Sequence, residues 1–521
     1  MTDQTTYLAQ NELKTIPFVD ALLPYTECFL GALEKTIDSI GLLDKLHATL
    51  LQEMSFAAEV ILQEELDRYK STGQNGYQEF IETTTLSLAT KYPVLDKILK
   101  TIANNYLIYI QKIFSSFSKD FYFIVNTFSI KANNIIKDID TSLGDGHSGE
   151  STALITLSDG AKLIYKPRNI EASKSYNLFI DWVNHKLDTN LKTIKCVSRE
   201  SYGWLEFVHY ESVHSPDELQ EYYYEAGILL AVTLLLGSKD CHYENIIASG
   251  KHPVIIDHET IIQPVLSDQS IRTWDEQHKV PFVSVLESML IVNRDTGIPL
   301  EYAGYGIRGN VEVMDLEKKV INPNTIDSKR DTRFVFRKLV KQNIPFYKDI
   351  NVFSNSYRHS FIEGFSAAYD MFMASREELT SGKSPILFFD NQIIRYVWRP
   401  TFIYFRILKY LRRASFMSSF EAYRSKLYEL MSKAYQKGDA KNYRYILEFE
   451  MEQLLNGDIP LFDLNSLDCH LWADKSFKIF EYNCIENIRQ RIGSFSSHHK
   501  NEQIEYITNW LQINTSARVN F

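Results

Sequence analysis

A short polar segment in the middle of the chain carries side chains that suit phosphoryl transfer. Asp240, His242 and Asn245 stand close together after an apolar stretch that predicts a helix. Residues 246–256 then contain two short apolar runs around a turn, which predicts a hairpin that returns the chain to Asp257. An Asp or His can act on an acceptor hydroxyl while an Asn and a second Asp hold magnesium on phosphates. This order of residues therefore indicates an ATP-dependent phosphotransferase.

A polar surface loop is the alternative explanation for residues 240–245. Such a loop would account for one N-capping aspartate. It would not explain several metal-competent side chains placed between strongly apolar segments. We therefore favour the phosphotransferase interpretation, and the plain loop remains open.

Lys166 ends an upstream pair of predicted strands. The runs 153–157 and 161–165 flank a Ser-Asp-Gly turn, and residues 173–185 then predict an amphipathic helix. A lysine in this position matches the phosphate-binding cation of a kinase small lobe, because its ammonium is a compact charge on a flexible stem. A lysine at a strand end is more often solvated. Its combination with the downstream polar segment favours a phosphate ligand.

The segment 142–149, just before those strands, holds three glycines. It predicts a loop whose backbone N–H groups fold over phosphate, although a plain connector would have a similar sequence. Asp145 and His147 add an acid and a base to this loop. A histidine can change charge near neutral pH, as a proton-transfer group must.

Together these motifs resemble the dehydratase domain of class II lanthipeptide synthetases, and the resemblance covers most of the chain. The matching pieces are Tyr92–Leu95, Gly144–His147, Tyr165–Arg168, Tyr202–Phe207, Asp240–Ala248, Ile256–Thr260, Ser284–Leu286, Arg395–Thr401 and Gly457–Pro460. The resemblance implies an α+β fold with a two-lobed catalytic core like that of lipid kinases and protein kinases, extended by many added helices. It also implies ATP-dependent dehydration of Ser and Thr in a ribosomal precursor peptide. In this reaction phosphorylation is followed by β-elimination of phosphate, which leaves dehydroalanine or dehydrobutyrine.

The resemblance implies a role for each matching residue. The phosphorylation set is Lys166 for the ATP phosphates, Asp240 and His242 for the acceptor hydroxyl, and Asn245, Asp257 and Glu259 for Mg²⁺. The elimination set is Asp145, His147, Arg395 and Thr401. The second set is chemically reasonable, because an arginine fork binds phosphate through two parallel bonds and a threonine hydroxyl adds a donor. Arg395 could instead serve only as a structural ion-pair partner.

Two other functions remain open. A peptide Ser/Thr kinase without elimination would keep the phosphorylation set without needing Arg395 and Thr401. A catalytically idle module that binds a leader peptide would not need Lys166 or Asp257. All four residues are present.

The sequence departs from this family in one respect. Class II synthetases normally continue into a zinc-dependent cyclase, whereas the Cys/His cluster near the end of this sequence consists of Cys469, His470 and Cys484. Their spacing does not fit a closed tetrahedral zinc site. We therefore expect a free-standing dehydratase that does not form rings by itself, and a separate cyclase stays open as a partner.

Composition agrees with a large cytoplasmic enzyme. The chain has 521 residues, 45% of them hydrophobic, and its five cysteines are scattered, as expected of free thiols in a reducing compartment. No apolar stretch is long enough to span a membrane. A net charge of −10 and short basic runs argue against nucleic acid.

Hydrophobic periodicity divides the sequence into three predicted regions. Residues 1–130 are helical, residues 131–340 form the kinase-like catalytic core, and residues 341–521 are again helical and contribute the elimination residues. Residues 291–331 are rich in Gly, Pro, Asn and charge. They predict an irregular insertion, either an activation-segment analogue or a peptide-binding loop.

Overall fold

A computed structural model describes residues 13–37, 39–147, 149–267, 280–306, 311–339, 341–436, 443–471 and 478–513. These residues form a mixture of helices and strands. The helices are α1 (Val19–Leu22), α2 (Glu27–Leu33), α3 (Ile40–Ser71), α4 (Tyr77–Lys91), α5 (Pro93–Phe128), α6 (Glu171–Leu187), α7 (Pro216–Leu236), α8 (Arg358–Ala374), α9 (Arg376–Thr380), α10 (Thr401–Leu411), α11 (Ala414–Met417), α12 (Phe420–Ser432), α13 (Arg444–Leu455), α14 (Cys484–Ser494) and α15 (Ser497–Leu511). The strands are β1 (Ile136–His147), β2 (Glu150–Leu157), β3 (Lys162–Lys166), β4 (Cys196–Ser198), β5 (Gly203–Glu206), β6 (Ile246–Ser249), β7 (His252–Ile255), β8 (Val265–Leu266), β9 (Val311–Ile321), β10 (Lys329–Leu339), β11 (Phe346–Tyr347), β12 (Ile350–Asn351), β13 (Ile393–Tyr396), β14 (Phe462–Asn465) and β15 (Phe480–Tyr482).

The chain divides into two compact units, each built from separate stretches of sequence. Unit 1 comprises Met1–Pro167, Met314–Phe336 and Pro400–Pro460, and unit 2 comprises Arg168–Val313, Arg337–Arg399 and Leu461–Phe521. The three regions predicted from the sequence are each continuous along the chain, unlike these units. Whether the regions are domains stays a prediction. No helix among the described residues has both the length and the apolar content needed to cross a bilayer.

Unit 1 combines long helices with an antiparallel sheet. Ser39 caps α3 by accepting a hydrogen bond from the backbone N–H of Leu42, and Pro93 starts α5 at a position where no N–H is needed. Both helices bury apolar stripes against one another. Strand β2 pairs with β1 on one side and β3 on the other, which confirms the predicted hairpin that leads to Lys166.

The glycine-rich segment adopts a different conformation from the predicted loop. Residues up to His147 continue strand β1, and His147 pairs with Glu150 of β2. The pairing of β1 with β2 shifts register on both sides of Leu143, and Gly144 has a φ of 76°. The prediction of a loop was wrong here, because bulges allow glycines within a strand and β2 offers a pairing partner.

Unit 2 is organised around the helix α7, which is buried along most of its length. Its C-terminal half is buried on every face, as its uninterrupted apolar sequence predicts. Helix α8 crosses it at a close contact where Gly227 and Gly364 meet the facing backbone. A Cβ atom at either position would overlap a carbonyl oxygen, of Phe361 or of Tyr224. The two glycines therefore allow the helices to approach closely.

A buried ion pair anchors the end of α7. Arg491 of α14 donates to both carboxylate oxygens of Glu287 at 2.8 and 3.0 Å and to the backbone oxygen of Leu234 at 3.1 Å. The helix then ends at Gly237, whose φ of 69° gives the left-handed cap that glycine favours. The polar segment predicted to carry chemistry begins immediately after this cap.

Candidate active site

The Asp240 loop (residues 238–245) is held by backbone hydrogen bonds on two sides. The backbone N–H of Lys239 donates to the backbone oxygen of Thr260 at 3.1 Å, and the Thr260 hydroxyl donates to the backbone oxygen of Lys239 at 2.6 Å. On the other side, the N–H of Cys241 donates to the oxygen of Ser288 at 2.8 Å. These bonds hold Asp240 at a φ of 62°, a conformation that non-glycine residues adopt at an energetic cost.

Asn245 and Asp257 lie side by side at the base of the β6–β7 hairpin. The N–H of Ile256, the residue before Asp257, donates to the backbone oxygen of Asn245 at 3.0 Å. The Asn245 side-chain nitrogen donates to the Asp240 backbone oxygen at 2.8 Å. Because this bond uses the amide nitrogen, the amide oxygen is the atom left to meet a cation. The predicted hairpin thus brings Asp240, Asn245 and Asp257 together.

His242 lies beside the Asp240 carboxylate. Its Nε2 atom is 3.6 Å from Asp240 Oδ1, and its Nδ1 atom accepts the backbone N–H of Glu244 at 3.2 Å. That bond fixes Nδ1 as an acceptor, so Nε2 carries the proton in the neutral ring and points it towards Asp240. This pair can orient an acceptor hydroxyl.

The Asp240 carboxyl occupies an enclosed position that solvent still reaches, with 43% of its side chain exposed. Burial among surrounding atoms raises its pKa. The charges of His242 and Arg395 oppose that increase, whereas Asp257 and Glu259 add to it. A carboxyl with a raised pKa is better suited to take up a proton near neutral pH.

Two guanidinium groups converge on Glu259. Arg168 Nη1 lies 3.0 Å and Arg395 Nη1 3.5 Å from the same carboxylate oxygen, Oε2. The backbone supports this contact, since the N–H of Arg395 donates to the oxygen of Glu259 at 3.0 Å. An anion in this position is stabilised by two cations. Glu259 as a Mg²⁺ ligand stays a prediction.

Asp463 is a member of this cluster that sequence reasoning missed. It lies on β14 directly opposite Arg395 on β13. Burial raises its pKa to about 6; the charges of Arg168 and Arg395 lower the pKa, and Glu259 raises it. The sequence contains only a weak indication of its role, because Asp463 stands in a short stretch of mixed apolar and polar residues just after the Gly457–Pro460 motif. We call Arg168, Asp240, Asp257, Glu259, Arg395 and Asp463 the charged cluster.

The other predicted site residues lie in unit 1. Lys166 ends β3 and is buried, and Thr401 is the first residue of α10. His147 is also buried, and its Nδ1–H donates to the oxygen of Ile459 at 2.9 Å. That bond brings the Gly144–His147 and Gly457–Pro460 motifs together. For Asp145 only the backbone is described, so its role lies outside the described side chains.

The predicted site residues are divided between the two units. The unit 2 residues are Asp240, His242, Asn245, Asp257, Glu259 and Arg395, and the unit 1 residues are Lys166, Asp145, His147 and Thr401. All six unit 2 residues belong to one hydrogen-bonded and electrostatic network. That the unit 1 residues converge on the same site stays a prediction.

Cys241 has the environment of a packing residue. Its side chain is buried, and burial raises the pKa of its thiol. A thiol becomes nucleophilic as the thiolate, which this environment disfavours. Cys241 therefore fills space beneath the loop and is not a nucleophile.

The donor atoms near Asp257 fit a hard cation. Asn245 offers an amide oxygen and Asp257 a carboxylate, the oxygen ligands that Mg²⁺ prefers. Among the described residues no group of three or more His, Cys, Asp or Glu side chains is arranged to hold a metal. Mg²⁺ commonly takes one or two carboxylates and completes its shell with water and substrate phosphate, so this finding is compatible with the prediction.

Comparison with known proteins places this site in a family. A family model described as a domain of unknown function, DUF4135, matches residues 92–465. The chain belongs to the DUF4135 family. The matched span contains every predicted site residue and also Asp463. DUF4135 thus covers parts of both compact units.

A curated relative is similar over part of its length. The chain is 27% identical over 330 residues to a protein of Lactococcus lactis subsp. lactis named lacticin 481/lactococcin biosynthesis protein LcnDR2. The match spans 60% of this chain and 34% of the relative. The chain therefore corresponds to about a third of that longer protein.

Proposed function

We propose that this DUF4135 chain acts in lanthipeptide biosynthesis as an ATP-dependent dehydratase of Ser and Thr in a precursor peptide. The proposal includes a kinase-like two-lobed core, ATP and Mg²⁺ as cofactors, and a leader-bearing precursor peptide as substrate. The similarity to a lacticin 481/lactococcin biosynthesis protein supports a role in such a pathway. The observation that carries the reaction is the grouping of Asp240, Asn245 and Asp257 at the base of one hairpin.

For the first step, the geometry supports distinct tasks for neighbouring side chains. Asp240 accepts the proton of the peptide hydroxyl, and His242, whose Nε2 lies 3.6 Å from Asp240 Oδ1, orients that hydroxyl. Asn245 and Asp257 supply the oxygen atoms that would hold Mg²⁺. The bound ion would neutralise phosphate charge. Lys166 keeps its predicted role at the ATP phosphates.

For the second step, Arg168 and Arg395 receive the phosphate. A base, for which His147 is the predicted candidate, takes up the α-proton of the phosphorylated residue. The electron pair of the Cα–H bond forms the Cα=Cβ bond, and the Cβ–O bond breaks as phosphate leaves with its bonding electrons. Two guanidinium groups now directed at Glu259 Oε2 would stabilise that negative charge. Thr401 keeps its predicted role as a donor, and Asp145 and His147 keep theirs in proton transfer.

Mass spectrometry of the cognate precursor peptide after incubation with ATP and Mg²⁺ tests the proposal. The expected result is the loss of one water per modified Ser or Thr. Phosphate adducts alone would favour the peptide kinase. An unmodified peptide that still binds the chain would favour the idle leader-binding module.

Replacing the arginines separates the two steps. In Arg395→Ala the rate of elimination should fall about 10²- to 10³-fold, so phosphorylated peptide accumulates. Arg168→Ala should act in the same direction. Arg358→Ala, at an exposed arginine elsewhere in unit 2, is the matched control and should leave water loss unchanged. Unchanged water loss in Arg395→Ala would contradict the assigned role.

A further inference from the structure

Helix α10 carries an exposed row of aromatic rings. Phe402, Phe405 and Tyr410 are 36 to 47% exposed. Phe402 and Phe405 lie about one helical turn apart, so their rings are neighbours on the helix surface. Phe56 of α3 adds a ring that is 38% exposed and stacks nearly parallel to Phe405, with centroids 5.9 Å apart. Contiguous exposed apolar groups of this kind commonly mark a site of interaction.

Cations lie over these rings. The Arg412 guanidinium is 4.4 Å from the centre of the Phe56 ring, and the Arg413 guanidinium is 4.4 Å from that of Tyr410. Arg406 lies 5.4 Å from Phe402, and Lys409 lies 5.9 Å from Phe56 and 6.0 Å from Phe405. We call Phe56, Phe402, Phe405, Arg406, Lys409, Tyr410, Arg412 and Arg413 the cationic face.

The charge of this face is opposite to that of the chain. Residues 401–413 contain four cations and no carboxylate, in a protein whose net charge is −10. Glu53 and Glu59, from α3, interact electrostatically with Arg412, and Glu59 also does so with Lys409, whereas Glu429 is paired with Lys426 at 2.8 Å. Arg406, Lys409 and Arg413 form no ion pair with any of the described residues. Three exposed cations are therefore available to an acidic partner.

We propose that the cationic face docks an acidic segment of the precursor peptide that also carries apolar side chains. The proposal rests on the proposed function, which supplies a peptide substrate. Carboxylates of the segment would meet Arg406, Lys409 and Arg413, and its apolar groups would pack on the exposed aromatic rings. Arginine beside aromatic rings is a common composition for the energetic centre of a protein interface.

The arrangement of the rings favours a peptide over a lipid surface. A ring that inserts between acyl chains must project from the protein beyond its cations. Phe56 and Phe405 instead stack at 11° to one another, with Lys409 within about 6 Å of both ring centres. An occupant must therefore present carboxylates and apolar groups side by side, as a peptide does.

Fluorescence anisotropy tests the docking surface without ATP and without catalysis. The probe is a labelled synthetic peptide of Glu, Leu and Ala, compared with the same peptide carrying Lys in place of Glu. The test variant is Arg406→Glu/Lys409→Glu/Arg413→Glu. The matched control is Lys35→Glu/Lys119→Glu/Lys137→Glu, which changes the net charge equally at exposed lysines elsewhere in unit 1.

The chain should bind the acidic probe and not the basic one. The test variant should bind it at least about tenfold more weakly, because three favourable charge contacts become unfavourable, and the control should bind nearly as tightly as wild type. Equal weakening in both variants would overturn the proposal, since net charge alone would then be responsible. Circular dichroism and thermal unfolding establish that both variants are folded.

Two further measurements decide between partners. Vesicles of equal parts phosphatidylglycerol and phosphatidylcholine should not bind; binding that depends on the cationic face, without peptide binding, would overturn the proposal in favour of a membrane. With the precursor peptide, the test variant should raise KM and leave kcat nearly unchanged. Face-dependent binding without any dehydration would refute the proposed enzyme activity while leaving the docking surface in place.

Discussion

The charged cluster of unit 2 and the cationic face of unit 1 both hold several ionisable groups, but in opposite circumstances. In the cluster, carboxylates and guanidiniums face one another, as where Arg168 lies 3.0 Å from Glu259. Burial there raises the pKa of Asp240 and Asp463. On the cationic face, Arg406, Lys409 and Arg413 are exposed to water, and within the described part of the chain none of them forms an ion pair, although Glu59 interacts with Lys409 electrostatically.

Because of this difference, we expect chemistry in the charged cluster and recognition of a partner at the cationic face. Charges that compensate one another in a low-dielectric setting interact strongly and locally, so a single substitution there should have a large effect. Exposed cations of one sign act weakly and at longer range, and salt screens them. Substitutions should therefore have effects of very different size in the two regions.

The largest effect is expected at Asp240. In Asp240→Asn the group that accepts the hydroxyl proton is lost, and the rate of peptide phosphorylation should fall about 10²- to 10⁴-fold. Initial rates from mass spectra measure this change. Asp295→Asn, at an exposed aspartate of unit 2, is the matched control and should keep the wild-type rate. A wild-type rate in Asp240→Asn would remove the basis for treating the cluster as the reacting site.

Stability should also separate buried from exposed charges. Arg491→Met leaves Glu287 buried without its partner and should lower the free energy of unfolding by about 3–5 kcal/mol. Arg406→Met, on the cationic face, should change it by less than about 0.5 kcal/mol. Urea unfolding measures both. The double variant Arg491→Met/Glu287→Leu should recover much of the loss, and a failure to recover would mean that the ion pair is not the cause.

Asp463 should give the stability a dependence on pH. The ordinary pKa of an aspartate carboxyl is 3.8, and burial raises the pKa of Asp463 to about 6 in the folded chain. Between these two values the unfolded chain releases the proton first, so stability falls as pH rises through this window. Asp463→Asn should remove that loss, and above pH 6 the variant should be the more stable by at most about 3 kcal/mol.

Thermal unfolding of both proteins between pH 4 and pH 7 measures the difference. Asp295→Asn is again the control, because an exposed aspartate should give no such dependence. A difference between wild type and Asp463→Asn that is constant across this range would show that Asp463 is not held in a desolvated position.

The smallest effect is expected from one exposed cation. Arg413→Gln should weaken binding of the acidic probe about two- to threefold, as one exposed charge contact contributes under about 1 kcal/mol. The difference should shrink at high salt because exposed charges are screened. Anisotropy titrations at two salt concentrations measure it. An effect as large as that of a cluster residue would place Arg413 in a buried interface.

Local sequence patterns predicted the elements that carry the candidate site. The hairpin β6–β7 brought Asn245 next to Asp257, as the two apolar runs and their turn required. Strands β2 and β3 and helix α6 also lie where periodicity placed them. The glycine-rich segment was the exception, because a bulged strand and a loop share the same residue types.

Long-range partners were beyond prediction from the residues alone. Arg168 and Glu259 are 91 positions apart, and Arg491 and Glu287 are 204 positions apart. Nothing in a local pattern selects such a partner, because the choice depends on which segments become neighbours in the fold. Asp463 was missed for this reason.

The sequence by itself determined the local chemistry: which residues form the Asp240 loop, its hairpin and the lysine-bearing strand. Backbone propensity and side-chain periodicity act over a few residues, so these features depend only on residues that are close together in the sequence. Only the tertiary structure decided that Glu259 lies between two arginines, that Asp463 faces Arg395, and that the cations of α10 form no ion pair among the residues that the structure describes. Burial and charge compensation depend on atoms brought together from distant segments, and they set the strength of every interaction in the site.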